Sequence, residues 1–124
     1  MFANKVIVVT GGANGIGKCI AGEFEKLGAH VYVIDRVEGE HFVGDLADKA
    51  TLERFSAHVL AQHDHIDVLV NNALPVMRGI DECTYEEFEY ALAVGVTAPF
   101  YLSKLFARHF APGGSIINIS SSRD

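Results

Sequence analysis

A chain of 124 residues with 49% hydrophobic and 21% charged residues has an ordinary globular composition, which excludes a disordered tail or a collagen-like repeat and leaves room for one domain at most. Ten basic residues against sixteen acidic ones give a formal net charge of −6. With no excess of Lys and Arg to neutralise phosphates, neither nucleic acid nor an anionic membrane is expected as a partner.

Cys19 and Cys83 lie far apart and outside any Cys-x-x-Cys spacing, as expected of thiols in a reducing compartment. No secretory leader is read at Met1–Lys5, and no apolar run approaches the ~20 residues of a membrane-spanning helix, so a cytoplasmic location is expected.

Lys5–Thr10 is a continuous β-branched run, suited to a central parallel strand covered on both faces. A glycine-rich turn follows at Gly11–Gly17, and then Ile16, Cys19, Ile20, Phe24 and Leu27 recur at helical spacing up to the stop at Gly28. His30–Ile34 reads as a second strand ending on Asp35, and His41–Val43 as a third. A helix is expected from about Asp48 to His63 with Leu52, Phe55, Val59 and Leu60 inward, and Ile66–Val70 as a fourth strand closed by Asn71-Asn72-Ala73.

From Tyr85 to about Phe110 the pattern is helical, with Glu86, Glu87 and Glu89 early and Lys104 and Arg108 late, matching the helix dipole. Phe88, Phe100, Tyr101, Phe106 and Phe110 are expected to pack. Pro112-Gly113-Gly114 ends the helix, and Ser115–Ile119 forms a fifth strand running into Ser120-Ser121-Ser122. Strands alternating with helices predict a doubly wound α/β parallel sheet, a Rossmann fold.

The turn Thr10-Gly11-Gly12-Ala13-Asn14-Gly15-Ile16-Gly17 stands between a strand and a helix start. Glycines there permit a tight turn and close backbone approach, while the helix start offers free N–H groups and a positive dipole end, the combination that holds a pyrophosphate. A plain strand-to-helix connection is the competing interpretation. Asp35, ending the next strand, can accept hydrogen bonds from adenosine ribose hydroxyls and would repel a 2′-phosphate, so NAD is preferred over NADP. Arg36 beside it could pair with a phosphate, but with Asp35 in front of it the preferred reading is a solvated side chain or one stacked on adenine.

The glycine spacing is G-x-x-x-G-x-G, and Gly44-Asp45-Leu46, Asn71-Asn72-Ala73 and Gly114–Ser121 follow in order. On these four segments the chain resembles the N-terminal half of the short-chain dehydrogenase/reductase family along its whole length. The resemblance implies an NAD-dependent hydride transfer between nicotinamide and an alcohol or carbonyl substrate, and a sheet of order 3-2-1-4-5-6-7 of which five strands are present. Gly11, Gly15 and Gly17 would line the diphosphate with contacts added by Asn14 and Ile16.

Asp45 would meet the adenine amino group and Leu46 border the ring, while Asn72 and Ala73 would border the ribose. Ser121, chosen by register among Ser120, Ser121 and Ser122, would bond the substrate oxygen. Asp45 could instead be a turn residue capping the next helix, and Asn72 could simply satisfy backbone groups. Ala73–Thr84, with Pro75, Met77 and Arg78, is a candidate for part of the substrate pocket.

Two features depart from the family pattern. The resemblance implies a Tyr-x-x-x-Lys acid/base pair about a dozen residues after the serine, whereas Tyr32, Tyr85, Tyr90 and Tyr101 have no lysine four residues later, so these residues alone are expected to bind cofactor without turnover. A non-catalytic dinucleotide-binding or interaction module is the alternative. Gly95 stands where many members carry asparagine; Pro99, four residues on, has no N–H for its carbonyl, so the helix should kink there and leave the Gly95 carbonyl free, and Gly95 could keep through it the proton-relay role that the resemblance implies.

His58, His63, His65 and His109 show no metal spacing and read as surface or helix-face residues; no metal is expected. A fifth strand left at the sheet edge, and a family subunit interface on the long helix, both predict a homo-oligomer.

Overall fold

The computed structural model describes residues 2–75 and 79–119. Five strands, β1 (Val6–Thr10), β2 (His30–Asp35), β3 (Phe42–Val43), β4 (Ile66–Asn71) and β5 (Phe110–Asn118), form one sheet of order β3-β2-β1-β4-β5, every pairing parallel. The doubly wound sheet expected from the sequence is present with its strand order. Thr10 lies opposite Ile34 on one side and Asn71 on the other, and Asn71 opposite Asn118. The carboxyl ends of four strands therefore finish at one level, where the order reverses and a ligand crevice forms in open α/β sheets.

The continuous apolar runs of β1 and β4 are explained by burial on both faces. Val6, Val8, Ile66 and Leu69 pack with Leu52, Phe55 and Val59 of α2 (Lys49–Gln62) and with Val94, Ala98, Leu102 and Phe106 of the long helix. Ile7, Val9, Val68 and Val70 face α1 (Gly15–Lys26) through Ala21, Ile20 and Phe24. Each such Val, Leu, Ile or Phe contributes about 1.5–3 kcal/mol on full burial. Asp67, 7% exposed, is compensated where it stands: its Oδ2 accepts the Val6 N–H at 2.8 Å and its Oδ1 lies 3.8 Å from Lys5 Nζ, locking the starts of β1 and β4.

Helix α2 begins one residue after its expected start because Asp48 is the cap, its carboxylate accepting the Thr51 N–H and hydroxyl. In α1 the inward stripe is Gly17, Ile20, Ala21 and Phe24, while Ile16, Cys19 and Leu27 are exposed. Spacing alone puts Ile16, Cys19, Ile20, Phe24 and Leu27 on one face, but Gly17 occupies the close-approach position and Ala21 joins the inward side.

The long helix is four pieces: α3 (Tyr85–Leu92), a π-helical stretch (Ala93–Thr97), α4 (Ala98–Phe106) and a 3-10 turn (Ala107–His109). Thr84 and Glu87 form a reciprocal capping box at its start. In the π stretch the Ala98 N–H reaches the Ala93 carbonyl five residues back, so around Gly95 and Pro99, where a kink is expected, the irregularity takes the form of a π-helical stretch. Tyr85–His109 spans 25 residues with a window of mean hydropathy 1.3, 28% of it buried, longer and more apolar than the sequence expectation allowed. Ala91, Val94, Ala98, Leu102 and Phe106 put one side of it into the core. Phe88 and Phe100, expected to pack, are 48% and 63% exposed on the other side.

Strand β5 starts five residues earlier than expected. Ile66 pairs with Phe110 and Val68 with Ser115, so the Pro112-Gly113-Gly114 break is absorbed as a bulge inside the strand. An edge strand tolerates this because proline has no N–H to give and one side has no ladder to feed.

Candidate functional site: a dinucleotide cleft

Three of the four family segments singled out in the sequence, joined by Asp35-Arg36, converge at the carboxyl end of the sheet around a cleft of about 640 Å³, and the described part of the fourth, from Gly114 to Ile119, does not line it. Gly11 and Ile16 line it from the glycine turn, Asp35 and Arg36 from the end of β2, Gly44, Asp45 and Leu46 from the segment after β3, and Asn72 and Ala73 from the end of β4. Leu74 and Pro75, part of the expected substrate pocket, continue that wall, while Met77 and Arg78 lie outside the described residues.

The glycines of the turn divide their work. Gly15 is exposed at φ 57°, with open space where a Cβ would stand, so the backbone before α1 is accessible. Asn14 holds the N-cap position but its side chain makes no capping bond, which leaves the first N–H groups of α1 to an incoming acceptor. Gly17 is buried instead: a Cβ there would stand 2.3 Å from the Gly11 carbonyl oxygen and 2.4 Å from Asn72 Nδ2. It shapes the turn by letting the helix approach the strand.

Hydrogen bonds fix the surrounding loops. Thr10 Oγ1 accepts the N–H groups of Asn72 and Ala73, each at 3.1 Å, and Asn72 Nδ2 donates to the Gly11 carbonyl at 3.0 Å. The backbone-satisfying role considered for Asn72 is therefore observed, on the glycine turn itself. Asp35 Oδ2 accepts the Ala13 N–H at 3.1 Å and its Oδ1 the Val37 N–H at 3.3 Å, so its carboxylate is held at the turn. Asp45 Oδ1 accepts the Ala47 N–H at 2.9 Å, the turn role considered for it, whereas the helix cap is Asp48. Buried Asn71 Oδ1 has no partner among the described residues, at the same carboxyl end of the sheet.

The opposite wall was not anticipated. Glu86, Glu87, Tyr90 and Val94 of the long helix line the cleft, and the Tyr90 hydroxyl donates to Asp45 Oδ1 at 2.9 Å while accepting from Arg36 Nη1 at 3.0 Å. Burial, then the Asp45 carboxylate beside it, push the Tyr90 phenol above its ordinary range, so it stays protonated and donating. The available signal was a polar-tipped aromatic four residues before Val94, a pair on one helix face. Gly95 itself is exposed, and a Cβ on it would lie 3.8 Å from Pro75 Cδ, beside the lining groups. Ser121 lies outside the described residues. Among the described residues no group of three His, Cys, Asp or Glu side chains is placed to hold a metal ion.

An accessible backbone turn at an uncapped helix start, a carboxylate at the end of β2 and a deep cleft at the strand reversal define a Rossmann-type nucleotide-binding fold whose residues fit a dinucleotide. The short chain dehydrogenase family profile matches residues 5–123, and the chain belongs to that family. Among its relatives is momilactone A synthase of Oryza sativa subsp. japonica, 39% identical over 140 residues covering 97% of this chain and 51% of that protein.

Two solved structures superpose closely. An apo SCOR enzyme from Clostridium thermocellum is 42% identical with a TM-score of 0.86, covering 95% of this chain and 54% of that one. A metagenomic short-chain oxidoreductase in complex with NADP is 34% identical with a TM-score of 0.89, covering 98% and 63%. The chain thus spans about half the length of the first curated relatives it matches.

Proposed function

We propose that these residues are the cofactor-binding part of an NAD-dependent short-chain oxidoreductase acting on a small alcohol or carbonyl substrate. The observation that carries this reading is the convergence of Gly11, Asp35, Asp45, Asn72 and Ala73 on one cleft at the carboxyl end of the sheet. Nicotinamide dinucleotide, when bound, supplies the hydride acceptor or donor. The chain's own residues do the rest: the Gly15 turn and the start of α1 hold the diphosphate, Asp35 takes the adenosine ribose, Asp45 and Leu46 the adenine, and Asn72 and Ala73 border the ribose. Ser121 orients the substrate oxygen, and Gly95 holds a relay water by its carbonyl.

NAD is chosen over NADP because Asp35, Asp45, Glu86 and Glu87 line the cleft against Arg36 as the one cation among its described lining residues. The solved relative holding NADP makes this the point to test first. A Tyr-x-x-x-Lys pair does not occur within the 124 residues, so they bind without turnover. Free Cys19 and Cys83 support a reducing, cytoplasmic setting. The outward stripe Tyr85, Phe88, Leu92, Val96 and Phe100, each at least 45% exposed, supports a homo-oligomer.

Calorimetric titration of the chain tests the reading: saturable binding of NAD, tighter than that of NADP, is expected. Equal or tighter binding of NADP overturns the cofactor choice, and no binding of either overturns the function.

A further inference from the structure

Arg36 follows directly on the residue that faces the adenosine ribose, the place from which an arginine can receive a 2′-phosphate. Here its guanidinium is engaged elsewhere. Nη1 donates to the Tyr90 hydroxyl at 3.0 Å, and Cζ stands 5.6 Å from the centroid of the Tyr90 ring, so one side chain holds the cation by both its edge and its face. The direction of the chain of bonds is fixed by chemistry. A guanidinium only donates and a carboxylate only accepts, so the single phenolic proton goes to Asp45 Oδ1, at 2.9 Å, and the phenol lone pair faces Arg36. Asp45 is in turn anchored by the Ala47 N–H at 2.9 Å. The positive charge of Arg36 is thereby directed through a neutral relay towards the Asp45 carboxylate, in a cleft that Glu86 and Glu87 also line.

We propose that Tyr90 is a positioning residue for cofactor choice: by tying Arg36 to α3 and Asp45 it withholds the guanidinium from the ribose 2′ position, so that NAD is preferred. This rests on the dinucleotide reading of the cleft. Asp35 supplies the repulsion of a 2′-phosphate, and Tyr90 removes the attraction that the neighbouring arginine would otherwise offer.

The test is a pair of titrations, NAD and NADP, on the unaltered chain and on Tyr90→Phe, which keeps the ring and deletes the hydroxyl. Losing one hydrogen bond to a charged group releases Arg36, and the ratio of NADP to NAD affinity is expected to rise about five- to tenfold. Tyr90→Leu, which also deletes the ring under the guanidinium, is expected to move the ratio at least as far. Adding Arg36→Ala to Tyr90→Phe is expected to cancel the gain. A structural wall would weaken both cofactors equally; an unchanged ratio in both Tyr90 variants, or a gain that survives loss of Arg36, overturns the proposal while NAD binding by the unaltered chain stands. Failure of that chain to bind either dinucleotide overturns the cleft reading and this proposal together.

Discussion

Gly17 and Asn72 meet at one carbonyl oxygen, that of Gly11, and this contact sets the shape of the glycine turn. A methyl group at Gly17 meets the Gly11 backbone first, which cannot swing aside as the end of a side chain can. Gly17→Ala is expected to destabilise the fold by about 1–3 kcal/mol, as overpacking typically does, read as a lower urea midpoint. An unchanged midpoint would show that the turn opens freely. The spacing of the glycines was legible because strand, turn and helix followed in the order the motif needs. Which glycine faces a ligand and which faces the fold was not, since that depends on the strand behind it. Ile16 illustrates the same limit: it counted towards the apolar stripe of α1, yet it is 66% exposed and lines the cleft.

At the scale of elements, residue types located the strands and helices and packing moved their ends. Asp48 was legible as a start because its carboxylate serves the next turn of α2. The early start of β5 was not, because a Pro-Gly-Gly sequence reads as a break and only pairing with Ile66 turns it into a bulge. The other end of α2 carries a pH dependence. His63, read as a surface or helix-face residue, caps the end of α2 half-buried, with its Nε2 2.8 Å from the Tyr32 hydroxyl and its ring 4.9 Å from that of His30.

Burial first, then the fields of His30 and His65, hold its pKa below the ordinary 6.5 against the opposing pull of Asp64. The folded state keeps His63 neutral while the unfolded chain takes up the proton at about 6.5, so this contribution is complete above that pH and is lost as pH falls below it. Urea midpoints at pH about 7.5 and 5.5 should differ less in His63→Gln than in the unaltered chain. An identical drop in both would place the titration elsewhere.

For the whole molecule, the doubly wound parallel sheet was readable from the alternation of strands and helices, whereas its strand order came only with the family resemblance. The wall contributed by the long helix was not readable, because nothing local says that Tyr90 crosses to Asp45. The same helix leaves an outward apolar stripe, and β5 is an edge with Ile116 and Ile117 more than 40% exposed. Sedimentation velocity at rising concentration should give a species larger than a 13.5 kDa monomer, reduced in Phe88→Lys combined with Phe100→Lys; a monomer throughout would contradict the oligomer.

The central claim is that four separated segments make one dinucleotide site. Amide NMR spectra of the chain titrated with NAD test it most directly. Shifts concentrated at Gly11–Gly17, Asp35–Arg36, Asp45–Leu46 and Asn72–Ala73, saturating together, are the expected result. Shifts gathered on the opposite end of the sheet, around Asp67 and His63, or none at all in a folded chain, would contradict it.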